Sequence, residues 1–374
     1  MTRFELPDVS DLVRLGERHE YAITVYAETA PGPNERDKSQ LTAKSAVDRA
    51  LRTIREAGAR HAVEAQLRSR WAEIAEADLW RSLSRSVAIF IADDFHEVYV
   101  LPNALESQLQ VGNYFDIGQL VRAVTTPQAA YALTLSADGW NLWRATATTR
   151  AQEFELTGEY ARDVAEATNR ATVRDRGHVR RLVGDEGKKV LLETYAKRVA
   201  EAVDSELGQA DPSQTRPLFL FAADPLLDMY QRIDQKRRIV AVPGAADELR
   251  PDQIDTAIRR SLGGLNAARA NASVENLADG LNKGLVATDL GDIARAATAG
   301  AVDTLVYDFT VDILGSMDPS SGALTFADDG YDLLSRVAVK VLEHGGDAVA
   351  VRSDEISAGV WNGTAVAKLR YAPG

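Results

Sequence analysis

Short apolar runs and amphipathic stretches alternate along this chain, and in the first third they predict an α+β fold. Residues 22–26 form an apolar run typical of a strand. Charged and apolar residues interleave from about Gln40 to Arg85, which predicts a long helical region. Two further apolar runs, at residues 87–91 and 97–101, flank a short acidic connection and predict a hairpin.

The second third opens near residue 126 with the pattern of an antiparallel meander. Apolar runs at residues 131–135 and 140–143 lie on either side of Asp138-Gly139, a dipeptide typical of tight hairpins. A third strand is expected over residues 152–156. The three strands should therefore pair in chain order.

Helices and strands then alternate up to about residue 242. Apolar residues at helical spacing from Leu192 to Val203 predict a long helix. Strands are expected at residues 218–221 and 239–242, with a helix at residues 226–233 between them. A meander followed by this alternation predicts a ribonuclease-H-like mixed sheet.

The last third has the pattern of a layered α/β domain. Helical stripes at residues 290–297 and 333–342 each lead into a strand, at residues 302–307 and 348–351. Short connections between such elements favour a parallel α/β/α sandwich. Residues 313–329 are rich in Gly, Ser, Pro and Asp, and predict a mobile loop.

Composition narrows the class of protein. A chain of 374 residues is expected to form two or three domains. The absence of cysteine excludes disulfides, thiolate metal sites and a thiol nucleophile. The five histidines show no metal-ligand spacing, so neither a metal nor a cofactor is expected. Without an apolar leader or an 18-residue apolar run, the protein is expected to be cytoplasmic and to have no membrane partner.

One segment departs from the overall charge of −12. Residues 170–198 hold nine Lys or Arg against four Asp or Glu. Such a local excess predicts an anionic partner, and the phosphates of RNA are the prime candidates. The alternative is a solvated helix face with unequal charges, and the sequence leaves both open.

The last third also resembles a known protein domain. AGAVDTLVYD (residues 299–308) and GGDAVAVRSDEISAGVWNGTAVAKLRY (residues 345–371) are similar to the C-terminal, L7Ae-like domain of the archaeo-eukaryotic release factor 1 and Pelota superfamily, including its bacterial relatives. This resemblance implies three domains: a divergent α+β N-terminal domain over residues 1–125, a ribonuclease-H-like central domain over residues 126–250, and an L7Ae-like α/β/α domain over residues 251–374.

The resemblance implies a factor that occupies the ribosomal A site in place of a tRNA. Release factors of this superfamily carry a Gly-Gly-Gln loop before a long helix in the central domain. The corresponding stretch here, residues 178–189, has no such motif, and no glutamine lies between Gln152 and Gln209. No catalytic residue is therefore assigned, and release activity is not expected, although enzymatic activity stays an open question.

The residues expected to contact ribosomal RNA lie in the basic loop and at the start of the helix after it. A histidine in this loop is a candidate for base stacking, or else a helix-end residue without a partner. The set is Arg174, Arg176, His178, Arg180, Arg181, Gly184, Gly187, Lys188 and Lys189.

The leading hypothesis is thus a ribosome-associated factor acting in rescue, hibernation or stress protection, with ribosomal RNA as partner and no DNA. A translational GTPase stays open as a further partner. Two alternatives are a peptidyl-tRNA hydrolase with a non-standard loop and an RNA-binding module unrelated to the ribosome. A two-metal nuclease is disfavoured, because a turn explains Asp138 and a helix start explains Asp224. The candidate acids for such a site are Asp138, Glu153, Glu155 and Asp224.

Overall fold

The computed structural model describes residues 2–30, 36–126, 128–146, 150–168, 185–214, 216–247, 249–278, 280–328 and 330–372. The chain forms two compact units. The first combines Met1–Pro127 with Gly263–Gly374 and is called here the discontinuous unit. The second, Gln128–Leu262, is called the central unit. Two of the three predicted domains therefore fall largely within one unit, and the three-domain division stays a prediction.

The N-terminal part of the discontinuous unit is built on a five-stranded sheet. Its elements are β1 (Thr2–Arg3), α1 (Val9–Leu15), β2 (Ala22–Glu28), α2 (Arg36–Glu56), α3 (His61–Glu76), β3 (Ser86–Ile91), β4 (His96–Leu101), β5 (Gln108–Gly112) and α4 (Gly118–Thr125). The strand order is β1-β4-β3-β2-β5. Only β1 and β4 pair in parallel.

The long helical region predicted over residues 40–85 is two helices rather than one. Helix α2 ends before Gly58, which has a left-handed φ of 86°. Glycine adopts this conformation at no steric cost, so the chain turns there and α3 starts afresh. Apolar residues of α2 and α3, such as Leu51 and Trp71, cover one face of the sheet.

The central unit has the mixed sheet that its pattern predicts. Its elements are β6 (Ala130–Leu135), β7 (Trp140–Ala145), β8 (Gln152–Glu153), α5 (Val164–Thr168), α6 (Asp185–Ala210), β9 (Leu218–Ala222), α7 (Leu226–Ile233) and β10 (Ile239–Pro243), followed by α8 (Pro251–Ala278), which continues past the boundary of the unit. The order is β10-β9-β6-β7-β8. The meander β6-β7-β8 is antiparallel, and β9 and β10 run parallel to β6.

The C-terminal part of the discontinuous unit adds two small sheets. Its elements are β11 (Val286–Ala287), α9 (Leu290–Thr298), β12 (Val302–Asp308), β13 (Leu314–Met317), β14 (Leu324–Phe326), β15 (Tyr331–Asp332), α10 (Leu333–Glu343), β16 (Asp347–Val351) and β17 (Ala365–Leu369). The larger sheet has the order β11-β17-β12-β16. The two strands predicted from the sequence, β12 and β16, pair in parallel as expected, whereas β17 runs antiparallel to β12, so the sheet as a whole is mixed.

The stretch predicted as a mobile loop, residues 313–329, is largely a hairpin. Strands β13 and β14 pair with each other, and β15 pairs with β13. A Cβ at Gly315 would lie 2.2 Å from the carbonyl oxygen of Thr325, so the two backbones meet at a distance that only glycine allows. The turn is closed by Asp318, whose carboxylate accepts bonds from Ser320 and Ser321, and these bonds lower its pKa to about 2. Residues typical of a loop here build a tight turn.

Among the described residues, no helix is both long enough and apolar enough to cross a membrane.

Candidate nucleic-acid interface

Helix α6 is the element that carries the described part of the predicted RNA-binding set. It has 26 residues, so it is about 39 Å long. Leu192, Tyr195 and Val199 lie on one face at helical spacing and are buried against the sheet of the central unit. The opposite face is left to solvent.

Three of the nine predicted residues lie in the first turns of α6. Lys188 and Lys189 are exposed, and Gly187 is half-buried. The other six lie outside the described residues: Arg174, Arg176, His178, Arg180, Arg181 and Gly184. The structure therefore describes the helix that follows the basic loop in the chain.

The two lysines are available to an external anion. Within the described ranges, neither Lys188 nor Lys189 forms an ion pair or a side-chain hydrogen bond. Two exposed cations without such a contact in this part of the chain are suited to binding an anion such as phosphate.

The segment before the basic loop is tied to α6 at Glu206. This carboxylate is 3% exposed and accepts bonds from the backbone N–H groups of Thr157 (2.9 Å) and Gly158 (3.0 Å) and from the Thr157 hydroxyl (3.0 Å). Burial opposes ionisation of Glu206, but these bonds outweigh it and lower the pKa of the carboxyl. The charged form is therefore the one that holds residues 157–158 in place.

An aromatic cluster fixes the next residues against the N-terminal half of α6. Trp140 Nε1 donates to the carbonyl oxygen of Ala161 at 2.9 Å, and the Tyr195 hydroxyl donates to that of Arg162 at 3.3 Å. The Arg162 guanidinium lies 5.9 Å from the centre of the Trp140 ring. Ala167 of α5 is buried in the same core. The chain thus runs along α6 from Glu206 towards Tyr195. Helices α5 and α6, which pack together, lie before and after the basic loop.

Trp140 and Trp143 of β7 belong to the core and do not form a surface on which bases could stack. Trp140 is 3% and Trp143 is 8% exposed, and Trp143 Nε1 donates to the Thr134 hydroxyl at 3.0 Å.

The four candidate metal ligands of a nuclease do not form one cluster. All are exposed, and none belongs to the group of possible metal ligands found among the described residues. Asp138 lies in the β6–β7 turn and Asp224 just before α7, where turn and helix-start roles explain them.

A second basic run, residues 236–238, was not singled out from the sequence. The signal for it in the sequence is the tripeptide Lys-Arg-Arg. Lys236 and Arg237 lie 2.9 and 3.5 Å from the carboxylate of Asp204 on α6, and Lys236 is the main cause of the lowered pKa of that carboxyl. Much of this charge is therefore neutralised within the protein, unlike that of Lys188 and Lys189.

Comparison with known proteins points to the same part of the chain. Residues 127–268 match the model of bacterial archaeo-eukaryotic release factor family 11. No curated protein sequence matches the chain.

Among solved structures, Pelota of Archaeoglobus fulgidus is 14% identical over 77% of this chain and 80% of its own, with a TM-score of 0.38. Archaeal Pelota, in a model of its ribosome-bound form with ABCE1, is 12% identical over 99% and 96%, with a TM-score of 0.37. Dom34 of S. cerevisiae, a translation termination-like factor that interacts with Hbs1, is 10% identical over 76% and 73%, with a TM-score of 0.34. Scores this low carry no argument about geometry.

The matched residues contain the whole mixed sheet, α6 and the basic segment, and this part of the chain is similar to bacterial archaeo-eukaryotic release factor family 11.

Proposed function

We propose that this protein binds the ribosome and occupies the A site during rescue, hibernation or stress protection, without promoting peptide release. The observation that carries the proposal is the pair of exposed lysines at the start of α6, which form no ion pair within the part of the chain that the structure describes. They belong to a basic segment that lies inside the release-factor-like residues 127–268.

The charge pattern supports a polyanionic partner. A protein with a net charge of −12 is repelled by RNA at long range, so contact must be made through a local cationic surface. Each Lys or Arg that neutralises a phosphate releases counterions, which makes the affinity strongly dependent on salt. Glu206 ties residues 157–158 to α6, and α6 itself packs on the sheet, so the chain is fixed to the core before and after the basic loop.

The sequence of the segment supports binding without release. The stretch that corresponds to the Gly-Gly-Gln loop contains Asp185 and Glu186 and no glutamine. Two carboxylates at this place bring negative charge to an RNA-lined site, where a hydrolytic loop needs close backbone approach and a positioned water.

The architecture is compatible with this role. In the central unit, the order β8-β7-β6-β9-β10, with an antiparallel meander and two parallel strands, supports a ribonuclease-H-like assignment. The sheet of β12, β16 and β17 with α9 and α10 supports an L7Ae-like assignment for the C-terminal part. Both stay part of the proposal.

Ribosome co-sedimentation across a salt series tests the proposal. The test variant carries Lys188→Glu and Lys189→Glu. The matched control carries Lys44→Glu and Arg49→Glu, two exposed cations on α2 that make no ion pair within the described part of the chain. Both variants change the net charge by the same amount, so a difference between them reports position and not charge.

We expect wild type and control to co-sediment at low salt and to dissociate as salt rises. The test variant should bind weakly, with the slope of log K against log salt smaller by about 1.5, as expected for two lost phosphate contacts. No binding by wild type, or equal loss in test variant and control, would contradict the proposal. If isolated structured RNA competes as well as ribosomes do, the protein is a general RNA-binding module.

A further inference from the structure

A second place in the fold brings together side chains suited to a ligand, at one end of the N-terminal sheet. Strands β2 and β3 are antiparallel, and their register pairs Ile23 with Ile91. The residues just before β2 therefore meet those just after β3. His19 precedes β2, while Asp93 and Asp94 form the turn between β3 and β4.

The three side chains converge on one point. One nitrogen of His19 and one oxygen from each of Asp93 and Asp94 all lie within 4.8 Å of one another. The His19 Nδ1 to Asp94 Oδ1 distance is 3.7 Å. This is too long for a hydrogen bond. It is close to the separation of two ligands that each lie about 2.1 Å from one metal ion.

These atoms have no other partner in the part of the chain that the structure describes. Neither carboxylate accepts a hydrogen bond, and no Lys or Arg forms an ion pair with Asp93 or Asp94. The His19 side chain is only 12% exposed, whereas that of Asp94 is 80% exposed. The group is thus a mostly buried imidazole that faces one half-buried and one exposed carboxylate.

The imidazole is held in place by its surroundings. Its ring centre lies 4.9 Å from that of Phe115 and is stacked at 6.1 Å on that of Phe95. The backbone N–H of His19 donates to the carbonyl oxygen of Asn113 at 2.8 Å. An apolar shell that fixes a ligating ring is a common feature of metal sites, because it lowers the cost of ordering the ligand.

We propose that His19, Asp93 and Asp94 bind a divalent transition-metal ion, with Zn²⁺ as the best fit. One imidazole nitrogen with two carboxylate oxygens suits Zn²⁺, whereas Mg²⁺ and Ca²⁺ prefer sets made of oxygen alone. Three protein ligands leave at least one coordination position for water or another molecule. The ion links the residues before β2 to the β3–β4 turn, so it binds the folded state and stabilises it.

The sequence could not show this site. The expectation that a histidine-based metal site is absent was based on spacing along the chain, but His19 and Asp93 are 74 positions apart and meet only through the register of β2 and β3.

Calorimetric titration of the metal-free protein with ZnCl₂, and separately with MgCl₂, tests the proposal. The test variants are Asp94→Asn, at an exposed turn position where folding should be unaffected, and His19→Ala. The matched controls are Asp138→Asn, an exposed aspartate in another hairpin turn, and His61→Ala, an exposed histidine. Thermal unfolding of each variant without metal checks that it is folded.

We expect one Zn²⁺ per chain, weaker by at least about tenfold in Asp94→Asn, as for a lost ligand, and unchanged in both controls. Zn²⁺ should also raise the melting temperature of wild type more than that of Asp94→Asn. Absence of Zn²⁺ binding, equal binding by Asp94→Asn, or Mg²⁺ bound as tightly as Zn²⁺ would overturn the proposal. Because the site and its test do not involve RNA, the result is independent of ribosome binding.

Discussion

At the scale of single residues, two buried carboxyl groups shape the stability of the discontinuous unit. Asp116 precedes α4 and accepts bonds from the Gly118 N–H (2.8 Å) and from Gln108 Nε2 (2.9 Å). Asp332 caps α10 and accepts from the Ser335 N–H at 2.7 Å. The Ser335 hydroxyl in turn accepts from the Ile117 N–H at 2.9 Å. Ser335 therefore links Asp332, at the start of α10, to Ile117, just before α4, although the two lie far apart along the chain.

Burial raises the pKa of both carboxyls, and the mutual repulsion of Asp116 and Asp332 adds to the increase for Asp332. Asp312 faces Asp116 as a further acid, and the hydroxyls of Tyr26 and Tyr307 lie close to it. A carboxyl whose pKa is raised on folding keeps its proton in the native state after the unfolded chain has lost it. Its contribution is present at low pH and is lost as the pH rises.

The free energy of unfolding should therefore fall as the pH rises above about 4, the ordinary pKa of aspartate, by about 1.4 kcal/mol per pH unit for each proton retained. Asp332→Asn mimics the protonated acid and keeps a residue favoured at the start of a helix, so it should flatten this dependence. Urea unfolding at a series of pH values between 4 and 9 measures both. Asp289→Asn, the same change at the exposed start of α9, is the control and should leave the slope unchanged. An equal slope in wild type and Asp332→Asn would contradict the assignment.

The contribution of Glu206 to stability depends on pH with the opposite sign. Its pKa is lowered on folding, because hydrogen bonds to its charged form outweigh burial, so its contribution is present above pH 4 and is lost in acid. Glu206→Ala removes the acceptor of the Thr157 and Gly158 N–H groups, and the loss of these hydrogen bonds to a charged group should cost about 1.5–3 kcal/mol at neutral pH. Urea unfolding checks the loss. Glu201→Ala, an exposed glutamate on the same helix, should have little effect.

At the scale of elements, substitutions at the start of α6 should change binding and not stability. Lys188 and Lys189 are exposed and form no ion pair within the described residues, and surface substitutions of this kind usually change stability by less than about 0.5 kcal/mol. The variant Lys188→Glu, Lys189→Glu should therefore melt within about one degree of wild type, while it loses ribosome affinity. Calorimetric melting of the pure protein measures the first effect. A lower melting temperature would mean that the lysines support the fold, and would weaken the functional interpretation.

The loop before α6 should not promote hydrolysis. Incubation of the protein with ribosomes carrying labelled peptidyl-tRNA is expected to give no release above the uncatalysed rate. Release that disappears when residues 184–189, which include the first turn of α6, are replaced by alanine would instead establish the hydrolase alternative.

Elements with a strong local pattern could be predicted from the sequence. The meander β6-β7-β8 follows from apolar runs around Asp138-Gly139, and α6 from the spacing of Leu192, Tyr195 and Val199. The hairpin β13–β14 was missed because its pairing depends on Gly315, whose role is visible only when Thr325 lies against it. The antiparallel direction of β17 could not be predicted, because it depends on which strand β17 pairs with.

At the scale of the whole molecule, the discontinuous unit depends on contacts that no local pattern encodes. The Arg336 guanidinium donates to the carbonyl oxygen of Gly16 at 2.7 Å, 320 positions away. Residues of the first part, such as Phe90 and Leu120, share one core with Leu334 and Val337 of α10. The sequence predicted the elements of each part, but not that the two parts share one hydrophobic core. Of the nine predicted RNA-binding residues, the structure describes three, and it shows that Lys188 and Lys189 are exposed.

Binding in competition with A-site tRNA tests the central claim most directly. Ribosomes with a filled P site and an empty A site would be incubated with labelled protein, and aminoacyl-tRNA with its elongation factor would then be added in increasing amounts. A-site occupancy predicts that the tRNA displaces the protein, and that Lys188→Glu, Lys189→Glu binds weakly from the outset. Protein and tRNA bound together on the same ribosome would contradict it.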